Sequence, residues 1–355
     1  MIKKAAKWVM IGLLTTMGIF MLGNINNAFI HVSPDRIAVS VSQEVSLKSI
    51  SEQLPGSSVL NEESGILSVP YGATTESLQA IENAKGVFSA KYVRLKQPEI
   101  SIRYYFYTLE KQISDYAHGE FGTVMTGSGR AAIPVAQAME EMIPRTFRYF
   151  IPSMLTALAV SLALSLLASM RRGIGKLLDG VHGLLVAVPD FYLVTLITLA
   201  AIYSYKHFHV RLALVVQFGD QVPFLIPFLT TALIPGVMIY GTLRLAIQRE
   251  LAQAYVLTAK SKGLSHVEVL FYHVLRNIVE DLLAVLPKAT TAALASMAVA
   301  EAVCDILGLG GIIVSPRMQG VSKLPLACLT LAAVSMLFHG LYAWMRGKFV
   351  VRTRE

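Results

Sequence analysis

Residues 259–277 read AKSKGLSHVEVLFYHVLRN, a basic, amphipathic stretch with a glycine near its middle, lying between two hydrophobic spans. Just upstream, ELAQAYVLTAKSKG (250–263) places Leu251, Tyr255 and Thr258/Ala259 at helical spacing. Gly263 is a natural stop, because glycine accepts the left-handed conformation that ends helices. Ser265 is placed to cap a second helix, and Glu268, three residues on, completes a capping box. Val267, Leu270, Phe271, Val274, Leu275 and Ile278 then fall at i, i+3, i+4, i+7, i+8 and i+11, which predicts one apolar stripe. Glu268, Tyr272 and Arg276 hold much of the other side. The segment is a helix, a tight corner and an amphipathic helix, too short for an enzyme domain. Three roles suit it: lying in lipid headgroups, packing under a helical bundle, or presenting Lys260, Lys262 and Leu264 to a groove on a partner.

The surrounding chain has 355 residues, 54% hydrophobic and 15% charged, with a mean hydropathy of +0.56. Soluble domains carry about a quarter charged residues, so the balance points to a membrane. Six apolar stretches approach the length of about 20 residues that a helix needs to cross the hydrocarbon core. They run from about Trp8 to Leu22 (extending towards Ile30), Phe150 to Met170, Leu178 to Tyr203, Val222 to Leu243, Leu282 to Val303, and Leu324 to Trp344. The first has a basic start and an apolar core, so a cleaved signal peptide competes with a retained anchor; no clear small-x-small cleavage site favours the anchor. Cys304 and Cys328 stand in or beside apolar stretches without a CxxC or Cys/His cluster, which predicts buried free thiols rather than zinc ligands.

Charge in the short flanks orients the spans. One side holds Lys3, Lys4, Lys7, Arg171, Arg172, Lys176, Arg244, Arg249, Lys260, Lys262, Arg276, Arg346, Lys348, Arg352 and Arg354; the short loops opposite hold Lys206, Arg211, Arg317 and Lys323. The first side is therefore cytoplasmic, with both termini and the corner. Topology thus explains the net charge of +8, and no nucleic-acid partner is needed.

The expected organisation is an N-terminal transmembrane helix (1–30), an extracytoplasmic segment (31–148), a five-helix core (149–345) with its cytoplasmic loop at 244–281, and a cytoplasmic tail (346–355). Within the outer segment, residues 36–95 alternate and cap as strand–helix–strand–strand–helix–strand, which suggests a small split βαβ unit. The fold class is an all-α membrane protein of six transmembrane helices with a small α+β insertion between the first two. His31 and Asp35 are read there as structural or solvated.

YVLTAKSKGLSHVEVLFYHVLRN resembles the cytoplasmic loop of binding-protein-dependent ABC transporter permeases of the oligopeptide, dipeptide and nickel branch. That loop typically reads YVRTARAKGLS…V…RHALRNA. Tyr255, Val256, Thr258, Ala259, Lys262, Gly263, Leu264, Ser265, His273, Leu275, Arg276 and Asn277 match it. LKQP (95–98), GEFG (119–122), VPDF (188–191) and EAVCDILGLGGIIV (301–314) resemble further segments of the family, in order. Asp281 departs from the family's proline, Asp305 and Leu307 from its Gly and Pro, and Asp190 from a small residue.

The resemblance implies the permease subunit of an ATP-driven importer, without an enzymatic activity or cofactor of its own. Its expected partners are ABC ATPase subunits, a second permease subunit, an extracytoplasmic substrate-binding protein and membrane lipid. The chain holds no G-x-x-x-x-G-K-[ST] of its own. ATP-driven motion would then arrive through a contact, with Tyr255, Thr258, Ala259, Lys260, Lys262, Gly263, Leu264, Ser265, Glu268 and Arg276 forming the coupling loop. Ionisable residues within spans are functional candidates. Asp190 either lines the translocation path or caps a proline-broken turn. Glu301 is expected at the outer end of its span, within reach of solvent, as a gate or structural contact. Lys288 and Asp281, seven residues apart, suggest a local pair or snorkelling, and His182 and His339 are read as packing residues. Peptide or a related small solute is the expected cargo. Two other classes compete: a membrane-embedded enzyme, for which Asp190 lacks an evident partner, and a membrane scaffold or receptor derived from a permease.

Overall fold

The computed structural model describes residues 2–42, 45–84, 86–125, 132–219, 221–314 and 324–349. Arg317, Lys323, Arg352 and Arg354, used above for orientation, lie outside the described residues. The chain forms two units, Met1–Phe121 and Gly122–Glu355.

The first unit starts with α1 (Ile2–Gly23) and a 3-10 turn (Ile25–Ala28). It continues through β1 (Phe29–Val41), α2 (Leu47–Glu52), β2 (Ser58–Asn61), β3 (Ile66–Ser68), α3 (Thr74–Glu82), β4 (Val87–Ile100) and α4 (Ile102–Ala117). The strands form one sheet in the order β2-β3-β1-β4, with every neighbouring pair antiparallel. Because side chains alternate across a strand, Ile37 and Val39 fall on one face with Leu67 and Ala90. Leu47 and Ile50 of α2 and Ile81 of α3 close a core over them. Serines start two of the helices: Ser46 Oγ accepts from the Lys48 N–H and Ser101 Oγ from the Tyr104 N–H, each at 3.2 Å.

The second unit opens with an antiparallel pair, β5 (Thr123–Met125) and β6 (Ala132–Pro134). Then come α5 (Val135–Met170), α6 (Arg172–Ala187), α7 (Asp190–Phe208), α8 (Leu225–Leu251), α9 (Ala254–Ser261) and α10 (His266–Val269). A wide π turn (Leu270–Val274) leads through α11 (Leu275–Asn277) to α12 (Val279–Val303), followed by α13 (Gly311–Val314) and α14 (Leu324–Phe349). Small and hydroxylated residues bring the long helices together, as they do between helices in lipid. Ser153 Oγ donates to the Phe228 carbonyl at 2.9 Å and Ser161 Oγ to the Gly236 carbonyl at 2.7 Å, tying α5 to α8. Ser296 Oγ donates to the Thr230 carbonyl, and Thr290 shares a hydrogen bond with the Tyr342 hydroxyl, joining α12 to α8 and α14.

Among the described residues, α5, α8, α12 and α14 are long and apolar enough to cross a membrane. The α6–α7 pair makes a fifth span if counted as one. The apolar part of α1, Trp8–Gly23, is shorter. The stretch expected as a single span from Leu178 to Tyr203 is not straight: α6 and α7 meet at 104°. Pro189 has no N–H to continue the ladder and forces its predecessor out of the helical region, so Val188 and Pro189 are both extended (ψ 124° and 145°). α5 also begins well before the expected Phe150, at Val135.

Candidate functional site

α9 ends in a glycine corner made by the backbone itself. The Gly263 N–H donates to the Lys260 carbonyl at 3.0 Å and the Leu264 N–H to the Ala259 carbonyl at 3.3 Å, the pair of bonds that closes a helix on a left-handed residue. Gly263 has φ +88°, and a Cβ there would meet nothing within 4 Å. This position therefore needs glycine for its conformation and not for space. Two residues later the chain starts again: the Glu268 N–H donates to Ser265 Oγ, while the Ser265 N–H and Oγ both reach Glu268 Oε2 at 2.7 Å. Those bonds favour the charged form and hold the Glu268 carboxyl below the usual carboxylate range.

Apolar side chains fix the corner to the bundle. Val256, Ala259, Val269, Leu270, Val274 and Ile278 are buried in one cluster with Leu243, Ile247, Leu283 and Leu286. The stripe differs from the sequence expectation: Val267 and Phe271 are exposed, and Val269 is buried. The π turn at Leu270–Val274 accommodates one more residue than an α turn, which rotates the helix before it and changes which side chains face inward.

Polar ties add to the packing. The Tyr255 hydroxyl donates to Glu250 Oε2 at 2.8 Å, and Asn277 Nδ2 donates to Glu250 at 3.0 Å and to the Tyr255 oxygen at 3.2 Å. This triangle links the end of α8, the start of α9 and α11. Burial, then the bond to Glu250, pushes the Tyr255 phenol up to about 12. The His266 ring hydrogen-bonds the Ser169 carbonyl at the end of α5. Arg244 makes a two-pronged contact with Asp179 at 3.1 Å and also reaches Ser169 Oγ.

The expected loop residues thus divide. Ala259 is buried, Tyr255 and Leu264 are half-buried, and Thr258, Lys260, Lys262, Gly263, Ser265, Glu268 and Arg276 are exposed on the corner. The sequence reading did not single out Glu250 or His266, whose partners come from other helices. Of the two expectations for Asp281 and Lys288, a local pair or snorkelling, the pair is not the one formed: Asp281 pairs with Arg249 at 2.6 Å. Lys288 instead helps line a cavity of about 780 Å³ with Asp179, Arg244, Gln248 and Asp281.

At the other end of α12, Glu301 contradicts the expectation of a solvent-accessible carboxylate: it is fully buried. Oε1 accepts from Thr146 Oγ1 at 2.7 Å and from the Tyr149 hydroxyl; Oε2 accepts from the Gly310 and Gly311 N–H groups, each at 2.7 Å. The loop after α12 wraps around the carboxylate and is held from outside by Arg145 on the Leu307 carbonyl at 2.8 Å and Gln217 on the Leu307 N–H at 3.0 Å. Asp305 has φ +50°, a left-handed position that Asp tolerates better than most residues. Asp190 is the first residue of α7, after the N-cap Pro189, and its Oδ1 accepts from the neighbouring Phe191 N–H at 2.8 Å. His182 packs on the Tyr240 ring, and the His339 ring bonds the Ser335 carbonyl. Among the described residues no group of three or more His, Cys, Asp or Glu side chains is placed to hold a metal ion.

Residues 156–349, more than half of the chain and spanning both ends of α12, match the family model described as binding-protein-dependent transport system inner membrane component. The chain belongs to this family. As a transport-system inner membrane component it is a multi-pass protein of the cell membrane and not an enzyme. It is 28% identical over 225 residues to the dipeptide transport system permease protein DppB of Lactococcus lactis subsp. cremoris (strain MG1363), covering 61% of this chain and 72% of that relative. It is also 28% identical over 181 residues to the protein of the same name from Bacillus subtilis (strain 168), covering 50% of this chain and 56% of that relative. Among solved structures, a chain of the MetNI methionine ABC transporter, crystallised in inward-facing conformations, superposes with a TM-score of 0.50 at 11% identity, covering 61% of this chain and 98% of that one. The membrane component shares the fold of that chain.

Proposed function

We propose that this membrane component is the permease subunit of an ABC importer for peptides or a related small solute. In this reading it pairs with a second permease subunit, receives cargo from an extracytoplasmic binding protein, and is driven by cytoplasmic ATPases docked on the corner at 254–278. The observation that carries the reading is the construction of that corner. Its tip, from Lys260 to Ser265, projects polar side chains and an unobstructed glycine, while buried apolar residues and the Glu250–Tyr255–Asn277 triangle fix it to α8 and α12. A rigid element in a partner's groove transmits a rotation that a slack loop would absorb. Two relatives named as dipeptide permeases support the cargo class.

Val at position 263 strains the left-handed backbone and puts a branched side chain on the tip. Gly263→Val is expected to lower ATP-dependent peptide uptake at least tenfold, with normal membrane insertion and a fall in melting temperature of only a few degrees. Uptake at the wild-type rate in a correctly inserted Gly263→Val chain would remove the coupling role. ATP-driven uptake that ignores peptides but follows another solute would keep the permease and replace the cargo.

A further inference from the structure

The helix α4 belongs to none of the machinery above, and its three faces have different surroundings. One face meets the end of α1: the Tyr105 hydroxyl donates to the Met21 carbonyl at 2.9 Å, Tyr116 packs edge-on against Phe20 with ring centres 5.1 Å apart, and Gln112 bonds Asn24. A second face meets the α+β body: Tyr104 and Tyr107 pack with Tyr71, and Lys111 pairs with Glu76. The third carries Ile102, Phe106 and Ile113, 67%, 55% and 49% exposed, at i, i+4 and i+11. Phe29 and Ile100, partners across the β1–β4 ladder just before α4, are also exposed. Arg103, Glu110 and Ser114 lie on the polar side of this stripe.

What covers the stripe follows from α1. Val9, Met10, Leu13, Leu14, Met17 and Leu22 are all exposed, so α1 is apolar all round, as a helix surrounded by lipid is. Its apolar part, Trp8–Gly23, is about 24 Å long and runs to the last turn, while Lys3, Lys4 and Lys7 stand at the opposite end. A helix pinned to its last turn therefore sits at the boundary between acyl chains and headgroups. The residues of α4 suit that boundary. Tyrosine has an apolar body and a polar tip, and aromatic residues gather at membrane interfaces. Tyr71, Tyr104, Tyr105, Tyr107 and Tyr116 all lie on or against α4, and the Arg103 guanidinium stands over the Tyr71 ring at 4.2 Å, where a lipid phosphate would lie within its reach.

We propose that α4 is an interfacial helix, lying in the headgroup layer beside the end of α1 with Ile102, Phe106 and Ile113 among the acyl chains. It fixes how deep α1 sits and holds the α+β unit against the bilayer surface, so this part of the protein binds lipid without crossing it.

The test uses the full chain in phosphatidylethanolamine–phosphatidylglycerol vesicles. Cys328 is replaced by Ser, the buried Cys304 is kept, and a nitroxide is attached at a cysteine introduced at Ile102, Phe106, Ile113 or Ser114 in turn. Labels on the three apolar positions are expected to collide with oxygen several-fold more often, relative to a nickel chelate, than the label at Ser114. Values at 106 and 113 equal to the Ser114 value would overturn the proposal. Shielding from both reagents would overturn it too, because the face would then be covered by protein. A second measurement avoids the labels. Phe106→Trp in a Trp8→Phe, Trp344→Phe chain is expected to lose fluorescence to lipids brominated high on the acyl chain; unquenched emission would count against lipid contact.

Discussion

The two ends of α12 are both built around glycines, for opposite reasons. At the N-terminal approach, Gly263 stands in open space with φ +88°. At the C-terminal end, Gly308, Gly310 and Gly311 have no room at all: a Cβ would overlap the Glu301 carboxylate, the Ala298 backbone and the Ile306 carbonyl respectively. One end needs glycine for the shape of the chain, the other for space beside a buried carboxyl group. The corner is stable because its polar groups satisfy one another locally. The loop at the far end is stable because a distant helix supplies Thr146 and Tyr149.

The largest expected effect is therefore at the crowded end. Glu301→Ala orphans two hydroxyls and two backbone N–H groups, each costing about 1–3 kcal/mol when buried without an acceptor. In a unit of this size that lowers the melting temperature by about 10 °C or more, as thermal unfolding in detergent would show. An unchanged midpoint would mean that the carboxylate does not organise the loop. The same alanine substitution then separates the glycines. Gly310→Ala drives a methyl into the Ala298 backbone and should also unfold early. Gly263→Ala costs about 1–2 kcal/mol of left-handed strain, and Gly263→Asn less, because Asn enters that region readily. Equal melting shifts at 263 and 310 would erase the contrast.

Smaller effects probe the corner's own bonds. Ser265→Ala removes one cap, worth about 1 kcal/mol. Hydrogen exchange at Val267 and Glu268 should quicken, with little change in the global midpoint. The smallest effect is with pH. Because Ser265 holds the folded Glu268 carboxyl below its ordinary range, the box contributes fully above that range. Its contribution fades as pH falls through the lower, folded value. Protection of the corner amides, measured against their intrinsic exchange rates, should fall in acid in the wild type, and the Glu268→Gln chain should lack that step.

The helix ends that make the corner were legible in the sequence because each is local, whereas its ties to Glu250 and Ser169 were not. A glycine stop, a serine cap and a glutamate three residues on need no knowledge of the rest of the chain. The Glu301 loop was not, because Thr146 and Tyr149 lie about 150 residues away, and an acid near the end of a span looks as if it should reach water. The partner of Asp281 was missed for the same reason: Arg249 comes from α8. Pro189 marked a break within the third apolar stretch, but proline alone does not set an angle of 104°. The stripe at 267–278 misled through its regularity, since a period of 3.6 assumes an unbroken α-helix and the π turn changes the phase part-way.

That turn has a further consequence. Leu270–Val274 holds one residue beyond what an α-helix would use, so the register between the exposed tip and α12 depends on a single residue. Winding it into an ordinary α-helix with all five residues kept would swing the tip by about 100° around the axis and push it out by about 1.5 Å. The chain would keep every residue from Lys260 to Ser265 and point them somewhere else.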